Sequence, residues 1–355
     1  MTATVQTAVI GVTGYAGAEL ARLLLHHPRL KNSPPVFAGR VEGNDVERGG
    51  IPLGEIHPAL QDSRGNGNLR MRPFSWELLA DLDVQVLFLA TPHEQSRTWV
   101  PEALKRGMRV IDLSGAWRLN ESVNRAVYAF EDEGSPAADR IQAEAVYGLP
   151  ELHRSRIAGA QLVANPGCYA TSVILAVRPL VAAGLVNLEV GIVADAKSGV
   201  SGAGKAPTPK THFMHVADNL SAYGVFTHRH TGELLEQIGI SAESIIFTPH
   251  LLPIPRGILS TIYVRFLSPQ NRHAVMHAYR SFFASSPLVR LHEHGLPQIQ
   301  HSVRTPYADI GFHLSHDGTR AVIVSCLDNL LKGASSQAVQ NLNVMLGWEE
   351  SEGLE

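Results

Sequence analysis

Strand-like apolar runs alternate with amphipathic segments along the first half of the chain. The apolar runs are residues 5–12, PPVFAG up to Gly39, 83–90 and 108–114. The amphipathic segments, which have helical periodicity, are residues 16–27, ending before Pro28, and about 94–106. This alternation predicts a parallel sheet with helices on both faces. Residues 43–72 interrupt it, because they are rich in glycine and polar residues, which indicates a loop or an insertion.

The pattern changes near residue 165. A helix is predicted from about 168 to 183, and later strand-like runs, with fewer helices between them, are residues 244–250, 257–267, 308–314 and 320–328. Such an arrangement is typical of an α+β domain with a mixed or antiparallel sheet. A long amphipathic helix closes the chain. We therefore expect an α/β dinucleotide-binding type of domain over residues 1–165 and an α+β domain over residues 166–328.

Composition and charge narrow the class of protein. The 355 residues suffice for about two domains, and 30 Lys+Arg against 33 Asp+Glu give 30 − 33 = −3. Without a basic block, nucleic acid and anionic membranes are not expected as partners. The apolar stretch after residue 170 is broken by Arg178-Pro179, so no membrane span is predicted. Two cysteines, Cys168 and Cys326, cannot form a disulfide framework and indicate a reducing cytoplasm.

A glycine-rich turn lies between the first predicted strand and the first helix, where dinucleotide-binding proteins hold a pyrophosphate. Its spacing is GxxGxxG, a departure from the more common GxGxxG, and an ordinary strand-to-helix turn is the alternative. Arg40 follows the second strand, where an arginine suits the extra phosphate of NADP and a solvated surface arginine is the alternative. The candidate cofactor-binding residues of the turn are Gly11, Thr13, Gly14, Tyr15, Ala16 and Gly17.

Cys168 lies in the segment NPGCYAT, between a short strand and an apolar helix. A cysteine in the first turn of a helix faces unpaired amides and the positive end of the helix dipole, which lower the pKa of its thiol. That position is typical of an attacking nucleophile, and a small cysteine that packs the start of a helix is the alternative. Cys326 lies inside an apolar strand and is expected to be buried and inert.

The histidines are numerous but mostly without a recognisable pattern. Glu233 follows His230 by three residues and lies on the same helical face, so its carboxylate can orient the His230 imidazole. His230 is therefore a candidate acid–base, and His228 is the second candidate. Among 17 histidines a chance cluster is the alternative. No HExxH or Cys/His pattern accompanies the others, so no metal site is expected.

The segment GVSGAGK (199–205) resembles a Walker phosphate loop only in part. Ala206 stands where Ser or Thr should hold magnesium, and Pro207 and Pro209 prevent a regular helix beyond its first turn. A nucleoside triphosphatase is therefore excluded. A Ser/Gly-rich loop with a lysine can still bind a phosphate through its backbone amides.

Taken in order, these segments resemble the N-acetyl-gamma-glutamyl-phosphate reductase family, within the wider aspartate-semialdehyde and glyceraldehyde-phosphate dehydrogenase type of fold. The likeness runs from residue 11 to about 341. The segments that carry it are GVTGYAGAELARLL, RVIDLSGAWRL, AVYGLPEL, ANPGCYATS, DAKSGVSGAGK, HRHTGEL, FTPHLLPIPRGILSTIYV and DNLLKGASSQAVQN.

The resemblance implies an NADPH-dependent reduction of an acyl phosphate. Cys168 would form a thioester, and His230, oriented by Glu233, would be the acid–base, with His228 second. The resemblance also implies a Rossmann domain to which the last helix, about 329–355, returns, and a homo-oligomer, dimer or tetramer. Candidates for contact with the small-molecule substrate or the cofactor are Arg118, Ser201, Gly202, Lys205, Arg256 and, near the nicotinamide, Asn329.

Three motifs depart from the family. The usual LSADFRL is LSGAWRL here, so Ala116 replaces an acidic residue, and HRHTPEI and LPHGVS are HRHTGEL and TPHEQS. The expected substrate is N-acetyl-gamma-glutamyl phosphate. The alternatives are the one-methylene-longer aminoadipyl phosphate of lysine biosynthesis, because pocket changes for one methylene are small, and a non-catalytic NADP-binding regulator.

Overall fold

The computed structural model describes residues 5–354. Its strands are β1 (Thr7–Ile10), β2 (Val36–Gly39), β3 (Ile51–Pro52), β4 (Arg70–Pro73), β5 (Val86–Leu89), β6 (Arg109–Asp112), β7 (Val146–Tyr147), β8 (Leu162–Ala164), β9 (Ile192–Gly199), β10 (Ser221–Ala222), β11 (Ile245–Leu252), β12 (Ile258–Arg265), β13 (Val289–Leu291), β14 (Ala308–Leu314) and β15 (Arg320–Leu327).

The helices follow the same chain order. They are α1 (Tyr15–His26), α2 (Asn44–Glu47), α3 (Leu53–Ile56), α4 (Trp76–Asp81), α5 (His93–Lys105), α6 (Ser122–Arg125), α7 (Pro136–Glu144), α8 (Pro150–Ala158), α9 (Cys168–Ala182), α10 (Phe213–Val216), α11 (Thr231–Ile238), α12 (Arg272–Phe282), α13 (Ile299–Ser302) and α14 (Ser335–Leu346).

The first sheet is parallel except at one edge. Within the described residues its order is β3-β4-β2-β1-β5-β6-β8-β7, and only the short β3 runs antiparallel to its neighbour. Strands β1 and β5 are buried along their whole length, which explains why they are continuous apolar runs. The chain leaves β1 toward β2 on one side and reaches β5 on the other, so the strand order reverses at β1. In parallel sheets this switch point is where ligands bind.

The second sheet is mixed, as the sequence predicts. Over the part of the chain that the structure describes, its order is β10-β11-β9-β12-β15-β14-β13, with the antiparallel strands β12 and β15 at its centre. Helix α9 crosses one face and packs against β12 and β15. Its buried residues include almost every position from Tyr169 to Leu180, so it is apolar on all sides. The predicted fold class, α/β followed by α+β, is confirmed.

The last helix, α14, returns to the first sheet and packs against α1 and α8. The expected loop over residues 43–72 is wrong in part. β4 extends the first sheet beside β2, and β3 caps that edge. These strands escape the sequence pattern because β3 has two residues and β4 alternates between exposed arginines and a buried methionine.

Candidate active site

A cleft of about 990 Å³ lies between the two sheets. The turns after β1 and β5 line one wall, the start of α9 lines its base, and the loops after β9 and β10 line the opposite wall. Its position at the carboxyl ends of parallel strands, beside the switch point, is typical of a ligand site in an open α/β sheet. The sequence-predicted residues that line it are Gly14, Tyr15, Ala16, Gly17, Arg118, Cys168, Ser201, Gly202, Lys205, His228, His230 and Asn329.

The glycine turn is closely packed, and this fits a dinucleotide. Gly11 has a φ of +96°, and a methyl group there would lie 2.7 Å from the carbonyl carbon of Ala90. A methyl group on Gly17 would lie 2.8 Å from the carbonyl carbon of Gly11. Helix α1 begins at Tyr15, and no side chain among residues 5–354 caps its first amides. Free amides at a helix N-terminus are suited to a pyrophosphate.

Cys168 is the first residue of α9, as predicted, and its side chain is half-buried at the base of the cleft. Gly333 covers it closely, since a methyl group on Gly333 would lie 2.7 Å from the Cys168 β-carbon. The expected low pKa is wrong for this structure. Burial raises the pKa of the thiol to about 11, because the loss of solvent outweighs the amide of Tyr169 and the charges of Arg118 and Arg229.

His230 lies directly beside the backbone of Gly167, the residue that precedes Cys168. A methyl group on Gly167 would lie 2.6 Å from its Cδ2. The ring is 7% exposed, and its Nδ1 has no hydrogen-bond partner within residues 5–354. Burial lowers the pKa of His230 well below its ordinary value, and His228 adds to the effect. The imidazole is therefore neutral and able to accept a proton.

His228 supports His230 through the backbone. Its Nδ1 accepts a hydrogen bond from the His230 amide at 3.1 Å, and the two rings are perpendicular with centroids 4.6 Å apart. Burial, followed by the charge of Arg229, lowers the pKa of His228 to about 4. Both histidines are thus uncharged near neutral pH.

Glu233 has a different set of partners from the one expected. Its Oε1 lies 3.9 Å from His230 Nε2, too far for a hydrogen bond. Instead its carboxylate accepts hydrogen bonds from Arg118 Nη1 at 3.1 Å, from the Tyr147 hydroxyl at 2.7 Å and from the Gly167 amide at 2.8 Å. Glu233 therefore fixes the backbone immediately before Cys168.

Of the four residues expected to contact substrate, two arginines bind other groups of the protein. Arg118 lines the cleft but is 7% exposed, and it donates to Glu233 and to the carbonyls of Asn165 and Leu113 at 2.7 and 2.8 Å. Arg256 does not line the cleft, because it is held by Glu19 at 2.7 Å and Asp328 at 3.1 Å. It joins α1 to the second sheet, and the expectation that it contacts substrate is wrong for this structure.

Asn329, Ser201 and Lys205 line the cleft and are held there by hydrogen bonds of the fold. Asn329 donates to the Ser201 hydroxyl at 2.9 Å and accepts from the Gly257 amide at 2.8 Å. Lys205 reaches across the cleft and donates to the carbonyl of Thr13 at 3.1 Å. Arg40 lies outside the cleft lining, with its side chain 88% exposed and paired with Glu42.

Comparison with known proteins matches both halves of the chain. Residues 6–160 match the semialdehyde dehydrogenase NAD-binding domain, and residues 168–329 match the semialdehyde dehydrogenase dimerisation domain. The N-acetyl-gamma-glutamyl-phosphate reductase of Methanocaldococcus jannaschii is 40% identical over 98% of this chain and 97% of its own length. That of Desulforapulum autotrophicum is 41% identical over 99% and 98%.

The chain belongs to the N-acetyl-gamma-glutamyl-phosphate reductase family. It is an enzyme of the oxidoreductase class, and its first domain is of the kind that binds a nicotinamide dinucleotide. Among solved structures, aspartate semialdehyde dehydrogenase II from Vibrio cholerae, complexed with ASA, superimposes with a TM-score of 0.69 at 18% identity, over 97% of this chain and 99% of that one. At this identity the likeness shows the fold alone.

The departure from the reductase family at LSGAWRL is accommodated locally. The phenol of Tyr128 lies over Gly115, where a methyl group would lie 2.6 Å from its Cζ. Trp117 is 1% exposed under the guanidinium of Arg97, which is 4.1 Å from the ring centroid. Arg97 in turn pairs with Asp132 at 2.9 Å. The motif thus remains packed although Ala116 carries no charge.

Sequence reasoning missed several residues of this reductase-family site. The Tyr147 hydroxyl binds Glu233, and the Tyr169 hydroxyl donates to the carbonyl of His250 at 2.7 Å. Thr91 lines the cleft after β5, and Arg229 lines it between the two histidines. All four residues lie within segments that were compared with the family: TPHEQS, AVYGLPEL, ANPGCYATS and HRHTGEL. Membership of those segments is the signal that could have found them.

Neither a metal centre nor a membrane span is evident in residues 5–354. No three His, Cys, Asp or Glu side chains there are grouped so that they could hold an ion. None of the described helices is long and apolar enough to cross a bilayer.

Proposed function

We propose that this protein reduces N-acetyl-gamma-glutamyl phosphate to N-acetylglutamate 5-semialdehyde with NADPH, in arginine biosynthesis, through a Cys168 thioester. The observation that carries the proposal is the joint position of three groups in one cleft. These are the Cys168 thiol, the neutral His230 ring and the glycine turn of the dinucleotide-binding domain. Curated relatives about 40% identical over nearly the whole chain bear the name of this reaction.

The two domains have different roles in the proposed reaction. Residues 1–165, with the C-terminal helix, hold the cofactor, and residues 166–328 supply the nucleophile. The free amides of α1, together with Gly14 and Gly17, fit the pyrophosphate, and Asn329 and Ser201 fit the nicotinamide end. Arg40, which follows β2, is proposed to bind the extra phosphate of NADP. When bound, NADPH supplies the hydride that reduces the acyl carbon.

The raised pKa of Cys168 requires a base at the moment of attack. His230 is neutral and its Nδ1 is free, so it takes the thiol proton. Sγ then bonds to the acyl carbon, the bond from that carbon to the phosphate oxygen breaks, and inorganic phosphate leaves. The Tyr169 amide, directed at Sγ, stabilises the developing thiolate.

The second half of the reaction releases the aldehyde. Once hydride has reached the thioester carbon, His230 holds the proton that completes the thiohemiacetal hydroxyl. The same ring takes this proton back as the carbon–sulfur bond breaks, which frees the semialdehyde. The ring then returns the proton to Sγ, which restores the Cys168 thiol. Glu233 keeps the Gly167 backbone in place throughout, with Arg118 as its countercharge.

The reverse reaction tests this proposal. We expect phosphate-dependent reduction of NADP⁺ by N-acetylglutamate semialdehyde, and its loss in Cys168→Ser, because a weakly acidic hydroxyl cannot replace the thiol. Activity that survives in Cys168→Ser contradicts the covalent route. Cys326→Ser is the matched control, since Cys326 is fully buried in β15. The aminoadipate semialdehyde, assayed alongside, tests the alternative substrate.

We also propose that the protein acts as a homo-oligomer, dimer or tetramer, in the reducing cytoplasm. The family model over residues 168–329 is that of a dimerisation domain, and both cysteines are free. Light scattering of the purified protein tests the oligomer: a mass of about 38.5 kDa would indicate a monomer and contradict it.

A further inference from the structure

The proposed substrate is a polyanion, because an acyl phosphate of N-acetylglutamate carries a phosphoryl group and a carboxylate. A cleft that binds it needs cationic side chains whose donors are free. In the part of the chain that the structure describes, the lysines and arginines that line the cleft are Arg118, Lys205, Lys210 and Arg229.

Two of these four are engaged by the protein itself. Arg118 is buried and donates through Nε and both terminal nitrogens to Asn165, Glu233 and Leu113. Lys205 donates to the carbonyl of Thr13. These bonds fix Arg118 beneath the cleft surface and tether Lys205, which keeps two further N–H donors, to the glycine turn.

Arg229 is different. Its side chain is exposed at the cleft, and no hydrogen bond, ion pair or stacked ring engages its guanidinium among residues 5–354. The histidines on either side face inward, since His228 packs against Tyr169 and Tyr223 and His230 lies against Gly167. The turn that fixes them includes the bond from the His230 amide to His228 Nδ1, which leaves the intervening side chain to face the cleft.

The charge of Arg229 also acts at the reacting centre. It lowers the pKa of the Cys168 thiol and of the His228 imidazole, after the larger effects of burial. Arg229 directly precedes His230 in the chain, and the His230 ring lies against Gly167, the residue before Cys168, so the exposed side chain of Arg229 starts beside the thiol. Lys210 lies in the loop between β9 and β10 and adjoins neither histidine in the chain.

We infer that Arg229 binds an oxyanion of the substrate, the phosphoryl group or the carboxylate, and is a specificity-determining residue. This rests on the function proposed above. A planar guanidinium with free donors binds either oxyanion through two parallel hydrogen bonds. Arg118, expected from the sequence to do this, instead holds Glu233.

The reverse assay separates the two oxyanions, because inorganic phosphate and the semialdehyde are then different substrates. In Arg229→Gln we expect the KM for one of them to rise roughly 10- to 100-fold, with a smaller rise in Arg229→Lys, which keeps the charge but not the planar fork. A rise for phosphate assigns the phosphoryl group, and a rise for the semialdehyde assigns the carboxylate.

The controls keep the outcomes distinct. Arg140→Gln removes an exposed arginine of α7 outside the cleft and should leave both KM values unchanged. The guanidinium of Arg229 makes no hydrogen bond or ion pair within residues 5–354, so melting curves of its variants should match the wild type. Wild-type KM values in Arg229→Gln overturn this inference. A wild-type enzyme without activity overturns the proposed function instead.

Discussion

The imidazole of His230 lies against the α-carbon of Gly167, the residue that precedes Cys168. A methyl group at position 167 would lie 2.6 Å from the ring's Cδ2. The neighbour is a buried ring held by its own turn, so a β-carbon cannot be accommodated by a small shift. Glycine at this position is therefore what allows His230 and Cys168 to share one corner of the cleft.

Gly167→Ala should displace His230 and reduce kcat by at least about 100-fold, in line with the loss of a general base. Steady-state kinetics of the reverse reaction measure this. Gly159→Ala is the matched control, since its β-carbon would meet open space at the end of α8. Equal activity of the two variants would show that His230 can move without cost.

The two histidines should differ in their contributions. His230→Asn should remove most of the activity, because its ring is proposed to move the proton. His228→Asn should retain more, because its ring contacts the cleft wall and binds the His230 amide. The pH profile of kcat provides the measurement. If only His228→Asn loses activity, the base has been assigned to the wrong histidine.

The thiol of the resting enzyme should be slow to alkylate. With a pKa raised to about 11 by burial, the thiolate fraction of Cys168 increases about tenfold per pH unit from 7 to 10. Iodoacetamide inactivation in a Cys326→Ser background measures it and leaves a single cysteine to react. An inactivation rate that levels off near pH 7 would contradict the raised pKa of Cys168 and support the low pKa expected for a thiol at a helix N-terminus.

The buried ion pair between Arg118 and Glu233 should contribute to the free energy of unfolding. Arg118 and Glu233 are 7% and 0% exposed, so Arg118→Met leaves a buried carboxylate without its countercharge. We expect the free energy of unfolding in urea to fall by about 3–5 kcal/mol. Loss of the exposed pair Arg140–Glu144, in Arg140→Gln, should change it by about 1 kcal/mol or less. Similar losses in the two variants would refute the role given to burial.

Cofactor choice should depend on Arg40. Its exposed guanidinium follows β2, so Arg40→Gln should lower kcat/KM for NADPH roughly 10- to 100-fold and leave that for NADH unchanged. Assays with both cofactors measure the ratio. Arg48→Gln, which alters another exposed arginine at the end of α2, is the control. Equal efficiency with the two cofactors in the wild type would exclude this role.

Local pattern was enough to predict the principal elements. The predicted helix near 168–183 is Cys168–Ala182, and the predicted strands at 308–314 and 320–328 are β14 and β15. Such runs are long, periodic and buried, so their pattern reflects the fold directly. The short β3 and β4 could not be predicted in this way, because their pairing comes from distant strands.

What the sequence by itself determined is the chemistry at hand: a cysteine at a helix start, a glycine turn after a first strand, and a cluster of histidines. Tertiary structure decided how these groups are used. Burial, which depends on every packed neighbour, raised the pKa of Cys168 instead of lowering it. In the folded chain Glu233 accepts hydrogen bonds from Arg118 and Gly167. Arg256 pairs with Asp328 outside the cleft, and Arg229 lines the cleft with an unpaired guanidinium among the described residues. Partners separated by 66 to 115 residues leave no mark in local spacing, because only the folded chain brings them together.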